Sequence, residues 1–204
     1  MNPSNSYKTI TVKSEGIYKE KGSKFLAYAF PVKSEDEIIN ILESLKNEHP
    51  QSRHICYAYV LGANKERFRV NDDGEPSGTA GKQIYGQILS KDITNVLVAV
   101  VRYFGGTKLG VSGLINAYKE AANNALENNT ISTVTLTNHY KIEFSYELRD
   151  KVKEILLTLP VNHLIENFLE TCELFFESNL NADDEAFNYL KSIDGIKFFY
   201  LGHY

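Results

Sequence analysis

Four short segments carry polar side chains that core packing does not call for: Arg53-His54-Ile55-Cys56, the acidic run from Asn71 to Gly81, the run from Arg102 to Gly110, and Ser112-Gly113. Each stands at the end of an expected strand or the start of an expected helix, where a rigid scaffold usually carries its binding groups. The third segment leaves an apolar strand and passes through Gly105-Gly106 into a helix. Backbone without side chains at a helix N-terminus offers N–H groups and the positive end of the dipole, which suits an anion. Arg102 and Lys108 would add full charges. The spacing fits neither the Walker motif nor the dinucleotide fingerprint, so nucleoside-triphosphate chemistry is not expected. The same residues also suit a plain tight turn with a solvated Lys108, and both readings stand.

Asp72, Asp73 and Glu75 place three carboxylates within four residues. Such a cluster can hold a metal or act as a general base. Asp-Asp-Gly followed by Glu-Pro is equally good turn chemistry, and the carboxylates can also orient Arg53 or Arg102. His54 and Cys56 share one strand face at i and i+2, which allows a thiolate–imidazole pair or half a zinc site. No second Cys/His pair has matching spacing, and Cys56 beside Ile55, Tyr57 and Tyr59 reads best as a small core residue. His49, His139, His163, His203 and Cys172 belong to no constellation.

The elements that must position these groups follow from hydrophobic periodicity. Tyr7–Lys13 and Phe25–Val32 read as strands separated by polar residues, Gly16 and Gly22. Ser34 with Glu37 resembles a capping box opening a helix with Ile38, Ile41/Leu42 and Leu45 on its apolar face. Ile55–Leu61 and Arg67–Val70 read as paired strands, followed by a helix near Lys82–Leu89. Val96–Val101 shows no alternation, as in a central strand covered on at least one face. Val111, Leu114/Ile115, Tyr118, Ala121/Ala122 and Ala125 then mark a helix. An α+β sheet with helices on one face fits this order. Beyond it, Tyr140–Tyr146 alternates as a strand, and Leu148–Leu159 has helical spacing stopped by Pro160. Val161–Phe168 and Thr171–Glu177 read as strands joined by a tight turn. Asn181 caps a helix ended by Gly195, and Ile196–Leu201 closes the chain. That order is βαββαβ, the ferredoxin-like arrangement.

Charge divides the 204 residues at the same place. Residues 1–133 hold 16 Lys and Arg against 14 Asp and Glu, whereas residues 134–204 hold 6 against 12, so a net of +2 faces a net of −6. Nine of the 13 glycines fall between Gly62 and Gly113, so close backbone approaches belong to the first half. Two units are expected, 1–132 and 136–204, with a short join near Ser132–Asn138. The apolar run Val96–Val101 is far shorter than a membrane span, and Met1–Ser6 has neither the basic start nor the apolar core of a secretory signal. Two cysteines are too few for a disulfide scaffold, so a cytoplasmic, reduced protein is expected.

Taken together, Arg53-His54-x-Cys56-Tyr57-Ala58-Tyr59, the run Asn71–Lys82 and the run Val101–Gly110 resemble the IMPACT/YigZ family, with all main motifs in order over residues 15–130. Asn71 stands where the family commonly has Ser, and Ser112 where a glycine precedes Gly113-Leu114. The acidic half resembles the small C-terminal domain of bacterial members. The resemblance implies a left-handed β-α-β first domain, as in a small-subunit ribosomal protein and domain IV of elongation factor G. It also implies a ferredoxin-like second domain similar to domain V of that factor. Eukaryotic relatives regulate translation under amino-acid stress through protein partners. The expected function is therefore a translation-associated regulator that binds RNA, the ribosome or a translation-related protein partner. Its binding residues would be Arg53, Arg102 and Lys108 with His54, Gly105 and Gly106, oriented by Asp72, Asp73 and Glu75. The alternative is a hydrolase or phosphate-handling enzyme using His54 and the Asp72/Asp73/Glu75 loop. No catalytic residue, metal or cofactor is assigned, and a monomer without membrane contact is expected.

Overall fold

The structure, a computed structural model, describes residues 6–168, 170–179 and 185–203. The chain forms two compact units, residues 1–134 and 135–204, each built on its own sheet.

The first unit runs β1 (Ser6–Ile10), β2 (Ser14–Glu20), β3 (Ser23–Pro31), α1 (Glu35–Glu48), β4 (His54–Leu61), β5 (Arg67–Asn71), α2 (Gly81–Ser90), β6 (Val96–Tyr103), α3 (Gly110–Glu127) and β7 (Ile131–Thr135). Its five-stranded sheet has the order β2-β3-β6-β4-β5 with every neighbouring pair antiparallel, and β1 and β7 form a separate two-stranded sheet. Helices cover both faces of the larger sheet, which corrects the expectation of helices on one face only. Ile38 and Leu45 of α1 pack on the side bearing Tyr28, Ile55, Tyr59, Leu97 and Ala99. On the other side, α2 and α3 bring Ile84, Ile88, Leu114 and Ala121 against Phe25, Ala27, Cys56, Val98 and Val100. This two-sided burial explains why β6 is apolar without alternation: its residues from Val96 to Val101 have no solvent face.

Local chemistry sets the element ends. Ser34 Oγ accepts the Glu37 amide at 3.2 Å, and Glu37 Oε2 accepts the Lys33 amide at 2.7 Å, a capping box displaced by one residue on its return bond. β2 lies where the sequence suggests a break of polar residues with Gly16 and Gly22. A Cβ on Gly16 would lie 2.3 Å from the Ala125 amide nitrogen, so this glycine admits the α3 backbone against a strand rather than ending one. β7 occupies part of the segment expected to be a join, leaving Leu136 between it and the next strand.

The second unit runs β8 (Thr137–Phe144), a 3-10 turn (Tyr146–Leu148), α4 (Arg149–Thr158), β9 (Val161–Phe168), β10 (Cys172–Asn179), α5 (Glu185–Ser192) and β11 (Lys197–His203). The sheet order β11-β8-β10-β9 and the βαββαβ connectivity make it ferredoxin-like, so the chain is an α+β protein. Ile142, Phe144, Leu174 and Phe176 pack under Val152, Leu156, Phe187 and Leu190 of the two helices. The expected Asn181 cap lies outside the described residues. Among the described residues, no helix is long and apolar enough to cross a membrane.

Candidate functional site

The ends of β4, β5 and β6 and the start of α3 meet at one corner of the first unit. His54 lies opposite Arg102 in the β4–β6 register, and Phe25 lies opposite Arg102 on its other side. Beside them opens a cavity of about 480 Å³ lined by residues including Arg53, His54, Glu75, Arg102, Phe104, Lys108 and Val111.

The acidic segment does three separate jobs. Asp72 accepts the amides of Gly78, Ala80 and Gly81 at 2.8, 3.0 and 2.8 Å, so it caps α2 from a distance; Ala80 at the cap position has no side chain that could. Gly81 permits this closeness, because a Cβ there would meet the Asn71 backbone at 2.7 Å. Asp73 accepts the Ile55 amide at 2.6 Å, which ties the loop to the start of β4. Its backbone is left-handed (φ 42°), and its amide is held at 2.7 Å by the Asn71 side chain. Glu75 alone reaches an arginine. Its Oε1 accepts Arg102 Nη1 at 2.5 Å and the Tyr118 hydroxyl at 2.8 Å, with both ionic side chains almost fully buried. Of the three carboxylates expected to orient arginines, two hold backbone amides instead, because their short side chains meet the nearest N–H groups first.

Arg102 is consequently the floor of the cavity rather than its mobile contact. It is 7% exposed, packs over Phe25 and Phe104, and its Nε has no hydrogen-bond partner among the described residues. The exposed cations are Arg53, whose guanidinium sits 5.9 Å from the Phe104 ring centre, and Lys108. His54 Nδ1 lies 2.7 Å from the Asp73 carbonyl oxygen, which can only accept, so this nitrogen carries the proton. Nε2 is thereby the nitrogen left for the cavity that His54 lines. Among the described residues, no side chain caps the first turn of α3, whose Gly110 and Val111 form part of the cavity wall.

Gly105 and Gly106 do not line this cavity. A Cβ on Gly105 would fall 1.9 Å from the Gly22 carbonyl carbon, and its amide donates to Ser23 Oγ at 3.1 Å. Gly106 supplies the left-handed turn (φ 88°) that brings the chain to Lys108. Cys56 and His54 are not a reactive pair. Cys56 Sγ lies 3.0 Å from the Asp72 carbonyl oxygen and 3.3 Å from Tyr118 Oη, and burial pushes its thiol well above the ordinary range. Burial likewise raises the Tyr118 phenol. Among the described residues, no group of three His, Cys, Asp or Glu is placed to hold a metal.

Sequence reasoning singled out the segment that holds Phe104 without giving that ring a role, and did not anticipate Tyr118 or Val111 as parts of this corner. Tyr118 was visible only as one apolar position of α3; the signal was its hydroxyl, which a fully buried tyrosine must satisfy.

The Impact N-terminal domain family model matches residues 21–126. The chain is 34% identical over 144 residues to the IMPACT family member YigZ of Escherichia coli K12, covering 70% of this chain and 69% of that one. It is 31% identical over 166 residues to the IMPACT family member YvyE of Bacillus subtilis 168, covering 79% and 76%. A crystal structure described as that of a hypothetical protein superposes over 96% of this chain and 97% of its own, with TM-score 0.72 and 26% identity.

Proposed function

The chain belongs to the IMPACT family, and on that footing we propose that it is a translation-associated regulator that grips the phosphate backbone of RNA, free or ribosomal, at the corner cavity of its first unit. The observation that carries the reading is the convergence of Arg53, His54 and Lys108 on one cavity whose wall includes the uncapped first turn of α3. Two exposed cations and free helix N–H groups suit an anion, and none of them is needed for the core. A translation-associated protein meets such anions chiefly as the phosphates of RNA, which makes RNA the preferred source. The enzyme alternative is weakened by the same geometry. Asp72 is occupied by three backbone amides, Asp73 gives one carboxylate oxygen to the Ile55 amide, and Glu75 is paired with Arg102 in the interior, so the loop's carboxylates serve the fold before any general-base role.

Binding of a single-stranded RNA and of purified ribosomes is to be measured from low to moderate salt. Phosphate contacts release counterions, so affinity falls steeply as salt rises. Lys108→Ala is expected to weaken binding to all sequences alike and to reduce the salt slope by about one. Salt-independent binding, or a Lys108→Ala protein that binds like the parent, would overturn the proposal and direct attention to protein partners.

A further inference from the structure

The corner cavity is larger and more apolar than a phosphate group requires. We infer, resting on the anion-binding reading above, that it accepts one nucleoside monophosphate unit, with the phosphate at the start of α3 and the base against Phe104.

Size is the first observation. The cavity holds about 480 Å³, within the range of roughly 300–1,000 Å³ found for sites that take organic ligands. The second is the exposure of its apolar wall. Phe104 is 42% and Val111 59% exposed, the buried Leu114 lines the same cavity, and neither exposure serves the core. Apolar side chains held open beside cations mark a surface that a partly apolar ligand covers. The third is the layering around Phe104. Its ring centre lies 5.9 Å from the Arg53 guanidinium carbon and 5.7 Å from that of Arg102. A flat heterocycle extends such an aromatic–guanidinium stack, and does so with any base because every base has a π-face.

Charge orients the ligand. Arg53 and Lys108 have no carboxylate partner among the described residues. Arg102 is 93% buried in the cavity wall by its 7% exposure, commits only Nη1 to Glu75, and leaves Nε unpartnered. Arg53 and Arg102 are stacked on Phe104, so the cation and amides left for the phosphate are Lys108 and the first turn of α3, which sets the base toward Phe104 and Val111.

A nucleoside monophosphate unit can come as a free nucleotide or as part of an RNA strand, at its end or along its backbone, and the test separates these. Calorimetric titration of the full-length protein would use adenosine and cytidine 5′-monophosphates, the matching nucleosides and inorganic phosphate. The nucleotides are expected to bind at least about tenfold more tightly than either phosphate or nucleoside, as one stacked base provides. Phe104→Leu, which keeps apolar bulk, should remove that advantage while phosphate binding persists; Lys108→Ala should weaken phosphate and nucleotide together. A 5′-phosphorylated RNA that displaces the mononucleotide, where its 5′-hydroxyl twin does not, identifies a strand end as the ligand. Displacement by both identifies a unit along the strand, and displacement by neither identifies the free nucleotide. Equal affinity for phosphate and nucleotide overturns the inference and leaves the anion site. Lys108-dependent RNA binding without any mononucleotide binding overturns it and leaves the proposed function. No binding of any of these ligands or of RNA removes both.

Discussion

Glu75 and Arg102 form an ion pair whose side chains are only 4% and 9% exposed, and Tyr118 shares the same carboxylate oxygen. Removing one partner of a buried pair strands the other charge, which costs far more than the pair itself contributes. Glu75→Ala is expected to destabilise the protein by about 3–5 kcal/mol in urea unfolding, whereas exposed Lys108→Ala should stay within about ±0.5 kcal/mol. Equal effects would mean that Arg102 finds another partner. The neighbouring thiol supplies a pH dependence. Folding raises the Cys56 and Tyr118 ionisations, so the native state retains protons that the unfolded chain releases. Their contribution is complete at neutral pH and is lost progressively as pH rises above the unfolded thiol's range, about 8.5, and then above the unfolded phenol's, about 10. Stability should therefore decline above the first of these, and Cys56→Ser should flatten the decline. At this scale the sequence showed which residues were unusual but not their partners. Three carboxylates within four residues look interchangeable on paper, and only the fold tells the long side chain of Glu75, which reaches Arg102, from Asp72 and Asp73, which stop at backbone amides.

At the scale of elements, the strands and helices that build the corner were legible because their apolar periods are strong: β6 by its unbroken run, α3 by its stripe of alanines, α1 by its cap. What periodicity could not convey was the side on which each helix packs. β4 shows the reason, since Cys56 and Ala58 face α2 and α3 while Ile55 and Tyr59 face α1, and both sets are apolar. β2 was obscured by a glycine that ordinarily signals a turn. Its role yields a prediction. A methyl group at Gly16 would meet Ala125 and Asn124 backbone atoms at 2.3 to 2.9 Å, and backbone cannot swing aside as a side chain can. Gly16→Ala should therefore force α3 off the sheet edge and cost about 1–3 kcal/mol or more, seen as a lowered unfolding midpoint. The hydrogen bonds of Asn124 to the Ile17 carbonyl and of Asn128 to the Glu15 carbonyl, at 3.0 and 2.8 Å, should weaken with it. An unchanged midpoint would show that α3 shifts freely and that the sheet–helix seam is not what fixes the cavity wall.

Over the whole molecule the charge asymmetry acquires a structural boundary. The first unit, with its excess of two positive charges, holds every candidate binding residue, and the second carries a net of −6. Like charge repels a polyanion over about a Debye length, so the second unit should disfavour nonspecific RNA contact and leave site-directed contact at the cavity. The first unit has its own closed cores, with β7 paired to β1, so a chain ending after Thr135 keeps all of its sheets. That truncated chain, checked for native circular dichroism, should bind arbitrary RNA more tightly than the full-length protein at low salt. The difference should shrink as salt rises, because screening removes the repulsion before it removes close phosphate contacts. Lys108→Ala in the truncated chain should still lower affinity, since the cavity does not depend on the removed residues. Weaker RNA binding by the truncated chain would reverse the assignment: the ferredoxin-like unit would then supply contacts of its own. Its net charge of −6 would then make surface shape and stacking, rather than charge, the basis of those contacts.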